Sequence, residues 1–152
     1  MTLAIRLRLG VLVAGLWWGS LTGLGFVVVP LLFAHLGSPA AAGAMAATLF
    51  TAQTWLSIAC TMLLLIIFNP KQGVAVVFTS SSAIKSVVLG LLLTVLVEFA
   101  VSPNIAAARA ASGDLRLWHG LGSAMYLGQW VCAALTAWCI AGATLALPTA
   151  GD

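Results

Sequence analysis

The sequence predicts an all-α protein, a bundle of four transmembrane helices. Two observations carry this. Of the 152 residues 62% are hydrophobic and only 6% charged, whereas a soluble domain carries about a quarter charged residues. The apolar residues also fall into four long stretches, punctuated by proline, glycine and the few charges. Six basic and three acidic side chains cannot solvate the surface of a water-soluble globule of this size. At about 20 residues per crossing, the chain holds four spans, short connections and little else, so residues 1–152 read as one integral membrane domain. The expected spans are about 9–33, 45–68, 82–101 and 119–147.

The first span follows Arg6 and Arg8 and runs from Leu9 to about Phe33. Its start imitates a signal peptide, but the apolar run is far longer than the ~7–15 residues of such a segment and no small-residue cleavage pattern ends it. It is read as a retained helix. Gly15, Gly19 and Gly23 form a ladder of small residues that lets another helix backbone approach closely. Pro30 is expected to kink or end the helix. Ser38-Pro39 reads as the next start, serine capping free N–H groups and proline being tolerated in the first turn. The second helix becomes lipid-grade near Phe50 and stops before Asn69-Pro70. Val74–Thr79, with the three serines and Lys85 that follow, is read as interfacial or as the tail of a long third helix. The third span ends at Ser102-Pro103, and residues 104–118 form the most polar connection. The fourth opens at His119 with a second ladder, Gly120, Ala124, Gly128 and Cys132, so spans one and four are expected to pair most closely.

Charge gives an orientation. Arg6, Arg8, Lys71 and Lys85 fall on one side of a four-span chain, and Arg109 and Arg116, offset by Asp114, on the other. Positive charge collects in the cytoplasm, which places both termini there, in a bacterial-type inner membrane. There is no basic run for nucleic acid. Cys60, Cys132 and Cys139 lie in apolar stretches without C-x-x-C spacing and read as buried thiols. Phe26–Pro30 and Phe99–Pro103 share an F-x-x-x-P pattern at the same end of the two odd spans. Two parallel helical-hairpin repeats, related by an axis along the membrane normal, would produce this pattern.

The rare polar residues are the candidates for function. His35, Gln53, Glu98 and His119 are expected to cluster near the outer face. An ionisable group within a span is costly and usually faces the bundle interior or a watery cavity. Glu98 therefore reads as a proton acceptor, cation ligand or ion-pair anchor. The bland alternative puts it a turn from the interface, reaching water or pairing with Arg109 or Arg116. His119 is a candidate metal or haem ligand, or simply an interfacial histidine. His35, in a loop, is a weaker candidate. A metal site needs three or four ligands; His119, His35 and Glu98, with Met45 in reserve, could supply them, but no spacing motif does so. Ser57 and Thr61, with Ser123, Tyr126 and Gln129, could line a narrow polar path or simply hydrogen-bond between helices. No nucleophile elbow, phosphate-binding loop or Cys/His pair supports an enzyme, and no cofactor is strongly implied.

Several short motifs resemble the small membrane proteins related to transmembrane protein 205: Trp18-Gly19-Ser20, then Phe26, Pro30, Leu32 and Phe33, the Leu49-Phe50 entry to the second helix, Pro103, and Leu117 to Gly120. The resemblance covers most of the chain and implies a four-helix membrane protein without catalytic residues. A looser likeness in layout to copper-resistance membrane proteins of the CopD type carries no ligand. Three readings of function follow: handling of a small solute or metal ion by a homo-oligomer, a non-catalytic accessory subunit of a larger membrane complex, and a metal- or haem-binding redox module.

Overall fold

The computed structural model describes residues 2–68, 82–111 and 113–145. Four long helices account for nearly all of them: α1 (Leu3–His35), α2 (Pro39–Ile67), α3 (Ser82–Ala110) and α4 (Leu115–Leu145). All four are long and apolar enough to cross a membrane. The expected interfacial stretch Val74–Thr79, the stop at Asn69-Pro70 and the fourth span's end at Leu147 lie outside the described residues.

The helix starts are built by side chains. Thr2 accepts a hydrogen bond from the Ile5 N–H, and Ser38 accepts one from the Ala41 N–H, as Ser38-Pro39 predicts. Asp114 accepts from the Leu117 N–H at 2.9 Å, so α4 begins ahead of the expected His119. At the opposite end of the bundle, Arg6 of α1 donates to the Ile67 carbonyl at 3.5 Å. A cation there complements the negative end of the α2 dipole.

The prolines do not end their helices. α1 passes through a π-helical stretch, Gly23–Val28, and continues beyond Pro30 to His35. α3 does the same through Val97–Val101 and continues beyond Pro103 to Ala110. The expected end of the third span at Ser102-Pro103 is thereby corrected. Proline lacks an N–H, and its ring collides with the carbonyl four residues back. An i→i−5 bond just before each proline, Val29 to Leu24 and Ser102 to Val97, widens the turn where that collision would fall.

The helices form a ring. α3 and α4 share the most extensive contact, α1 packs on both α2 and α4, and α2 packs on both α1 and α3. The core holds Leu7, Ala14, Trp17, Leu21, Leu64, Val87, Ala133 and Ile140. Outside, the pattern of a soluble protein is reversed. Leu12, Ile66, Phe99 and Trp138 are exposed, while Gln53, Ser57, Thr61, Thr94, Gln129 and Thr136 are buried. An apolar surface around an interior that also holds hydrogen-bonded polar side chains is what lipid selects. The chain is a multi-pass membrane protein.

The F-x-x-x-P pattern extends into three dimensions. With Phe26 set against Phe99, the buried residues Gly10, Ala14, Trp17 and Leu21 of α1 fall in register with buried Ala83, Val87, Gly90 and Thr94 of α3. On α2 and α4, Gln53, Cys60 and Leu64 match Gln129, Thr136 and Ile140, all buried. Equivalent residues also meet. A Cβ on Gly90 would lie 2.5 Å from the Trp17 ring, so the glycine vacates the space its counterpart fills. Phe50 and Tyr126 make an edge-on contact with centroids 5.2 Å apart. Two parallel hairpins about a common axis would bring like positions together in this way.

The small-residue ladders do not make the packing expected of them. A Cβ on Gly15, Gly19, Gly23 or Gly120 would meet nothing within 4 Å, and Ala124 is exposed; Gly128 and Cys132 do meet neighbours, but on α3, at Leu93 and Gly90. At about 100° per residue, the α1 ladder falls on the far side of the helix from Trp17 and Leu21. α1 and α4 do pack together, but through Gly25 under Tyr126 and through Trp18 and Phe26 around Trp130.

Candidate functional site

Glu98 sits inside the π-helical turn of α3 and is half-buried. Its two carboxylate oxygens accept from separate hydroxyls of α2, Thr51 and Thr54, each at 3.2 Å. Residues 51 and 54 lie three apart and share a helix face, so α2 presents two donors side by side. An ionised carboxylate is acceptor-only, and this pair satisfies one lone pair on each oxygen. Among the described residues Glu98 forms no ion pair. Arg109 instead lies over Gly43 of α2, where a Cβ would come within 3.2 Å of the guanidinium. About 18 Å of further helix separates Glu98 from Ala110. The pairing of Glu98 with Arg109 is therefore not formed.

The position of α1 equivalent to Glu98 is Gly25, and it is built differently. The Tyr126 ring of α4 covers it: a Cβ there would lie 2.7 Å from the ring. The Tyr126 hydroxyl donates to the Leu21 carbonyl at 2.8 Å, and Trp130 Nε1 donates to Thr22 Oγ1 at 2.9 Å. One bulge is thus pinned by aromatic donors to neutral oxygens, the other by hydroxyls to a carboxylate.

Two further polar pairs lie in the core. Gln53 donates from Nε2 to Ser20 Oγ at 3.0 Å and to Ser57 Oγ at 3.2 Å, linking α2 to α1. Thr94 donates to Gln129 Oε1 at 2.9 Å, linking α3 to α4. No hydrogen bond among the described residues joins these groups to each other. Thr61 and Thr136 turn their hydroxyls back to carbonyls of their own helices.

The expected outer cluster therefore separates. His35 is exposed at the end of α1, its Nδ1 3.0 Å from the Leu31 carbonyl. His119 is exposed near the start of α4. Gln53 and Glu98 lie deeper, and no hydrogen bond among the described residues joins any two of the four. Of the expected polar path, Ser57, Thr61 and Gln129 are buried, Tyr126 is half-buried and Ser123 is exposed. No three His, Cys, Asp or Glu side chains gather as a metal site among the described residues. Thr51, Thr54, Thr94 and Ser20 are hydrogen-bond partners of these groups that sequence reasoning missed. The spacing of Thr51 and Thr54 on one face of a helix otherwise empty of charge was the available signal.

Residues 12–114 match the model of a domain of unknown function (DUF4149). No curated protein and no solved structure matches the chain.

Proposed function

The chain belongs to that family of unknown function, DUF4149, and on this footing we propose that it handles a small cation, the proton included, at Glu98. One observation carries this reading: a half-buried carboxylate well inside a long apolar helix, each oxygen held by a threonine of the neighbouring helix. Retaining a carboxylate within a span is costly, and groups of this kind mark ion and proton pathways. The threonines hold the group in place without neutralising it, which leaves its charge for a ligand. Among the described residues no three His, Cys, Asp or Glu side chains gather here, which disfavours a tightly held transition metal. The protein is read as non-enzymatic and as lying in a bacterial-type inner membrane with both termini cytoplasmic, on the charge asymmetry of its connections. The motif likeness to relatives of transmembrane protein 205 agrees with such a membrane role. Handling across the membrane would be the work of an oligomer, because Trp17, Leu21, Leu64 and Val87 close the interior of one bundle.

The accessory-subunit reading has an observation of its own. Gly15 and Gly19 are exposed on α1 with nothing beside them, a surface that a second helix could approach closely. Gentle detergent extraction separates the two: a homo-oligomer supports the first reading, a stable heteromeric complex the second.

The functional test is flux into proteoliposomes under an imposed potential, read with pH- and alkali-cation-sensitive dyes. Wild-type protein should pass one of these ions at least about tenfold faster than Glu98→Gln, the equivalent of about 1.4 kcal/mol. Flux no greater than in empty vesicles, or equal in the variant, would overturn the proposal.

A further inference from the structure

We infer that Glu98 is a charge-dependent latch: while ionised it holds the π-helical turn of α3 against α2, and its neutralisation lets the Ser102–Ala110 segment change register. The inference rests on the reading that protons or small cations reach Glu98. Its own basis is the contrast between the two bulges.

Both odd helices carry a π-helical turn ahead of a proline. Such turns hold one extra residue and often mark functional sites. Losing that residue turns the helix beyond it by about 100° and shifts it by about 1.5 Å. The proline favours a widened turn, and side-chain contacts fix where that turn sits. In α1 the holders are Tyr126 to the Leu21 carbonyl and Trp130 to Thr22, neutral bonds indifferent to small cations. In α3, Val101 is buried beside Gly122 of α4, and the two polar holders, Thr51 and Thr54, end on a side chain whose charge can change. Protonating or covering the carboxylate weakens both bonds at once, because charged acceptors make the stronger ones. Of the two bulges, only that of α3 has polar holders that respond to charge.

Among the described residues no other charge competes at this point. α2 carries no Asp, Glu, Lys, Arg or His between Pro39 and Ile67, and its Cys60 thiol lies in the core. On α4, Arg116 and His119 are exposed near the helix start, Tyr126 turns to α1, and Cys132 packs in the core. On α3, Arg109 lies over Gly43 and Lys85 is exposed near the helix start. On α1, His35 meets the Leu31 carbonyl and Arg6 the Ile67 carbonyl.

The segment beyond the bulge offers a direct readout. Ile105 packs on α4, its Cδ1 3.7 Å from where a Cβ on Gly122 would stand. A change of register carries Ile105 away from that position. The experiment uses full-length protein with Cys60→Ala, Cys132→Ala and Cys139→Ala, carrying Ile105→Cys and Gly122→Cys, and a short thiol-specific cross-linker. Gly10→Cys with Phe68→Cys serves as a control pair that corrects for thiol reactivity. At alkaline pH the 105/122 pair should cross-link about tenfold faster in the Glu98 protein than in Glu98→Gln, with the control pair unchanged. The double variant Thr51→Val with Thr54→Val should lose the cross-link while keeping the carboxylate. Lowering the pH at fixed salt, or adding sodium or potassium at fixed pH, should slow the pair and identifies which ion trips the latch. Equal control-corrected rates in Glu98 and Glu98→Gln protein would overturn the latch. Ion flux could still depend on Glu98 in that case, so the two proposals fail separately.

Discussion

Thr51 and Thr54 give Glu98 a fixed position, and their contribution can be measured. A hydrogen bond to a charged group contributes about 1.5–3 kcal/mol. Thr51→Val or Thr54→Val should each destabilise the bundle by about that amount, as read by thermal unfolding in detergent. A change no greater in these variants than in Thr144→Val, whose hydroxyl returns to the Ile140 carbonyl of its own helix, would remove the pair from the account. Gly90 offers an independent test. A Cβ there meets the Trp17 ring at 2.5 Å, and overpacking of this kind costs about 1–3 kcal/mol. Gly90→Ala should lower the melting temperature, and combining it with Trp17→Phe should restore part of the loss. Glu98 was legible in the sequence because a carboxylate in an apolar run stands out on composition alone. Its partners were not, because threonines are common in such runs and only the pairing of α2 with α3 makes two of them donors. The histidines stood out for the same compositional reason, yet both lie exposed near helix ends, where an imidazole needs no partner.

At the scale of the helix, proline was the misleading signal. Read locally, Pro30 and Pro103 are breakers, since each lacks an N–H and crowds the carbonyl four residues earlier. The fold answers with one extra residue in the preceding turn, and the helix goes on for another turn or more. Removing the ring should remove the need for the bulge. Pro103→Ala should let α3 return to α-helical spacing, detectable as a changed pattern of spin-label contacts between the Ser102–Ala110 segment and α4. Pro30→Ala should change α1 less, because Tyr126 and Trp130 hold its bulge independently. Equal responses of the two helices would contradict the asymmetry. The glycine ladders are the converse case. Their four-residue spacing was legible, but not the face on which they lie. That face is set by Trp17 and Leu21, whose burial turns Gly15 and Gly19 outward.

At the scale of the whole molecule, the architecture was the most legible part, because it depends on quantities that survive local misreading. Four apolar stretches, too few charges for water and paired F-x-x-x-P patterns all act over the full length of a span. The helices run longer than the apolar stretches because capping by Asp114 and the two bulges extend them into polar sequence. Lipid outside and hydrogen-bonded polar pairs inside then follow from the solvent. The orientation is a prediction at this scale. Reporter fusions at both termini should be active on the cytoplasmic side, and one placed at Gly37 on the opposite side; the reverse pattern would invert the topology.

Whether the Glu98 carboxylate itself meets a proton or cation is tested most directly by infrared difference spectroscopy of the reconstituted protein, stepping pH at fixed salt and then salt at fixed pH. The account predicts a carboxyl band that responds to one of these steps, vanishes in Glu98→Gln and shifts when Thr51 and Thr54 are both changed to valine. A difference spectrum identical in wild-type and Glu98→Gln protein would contradict it.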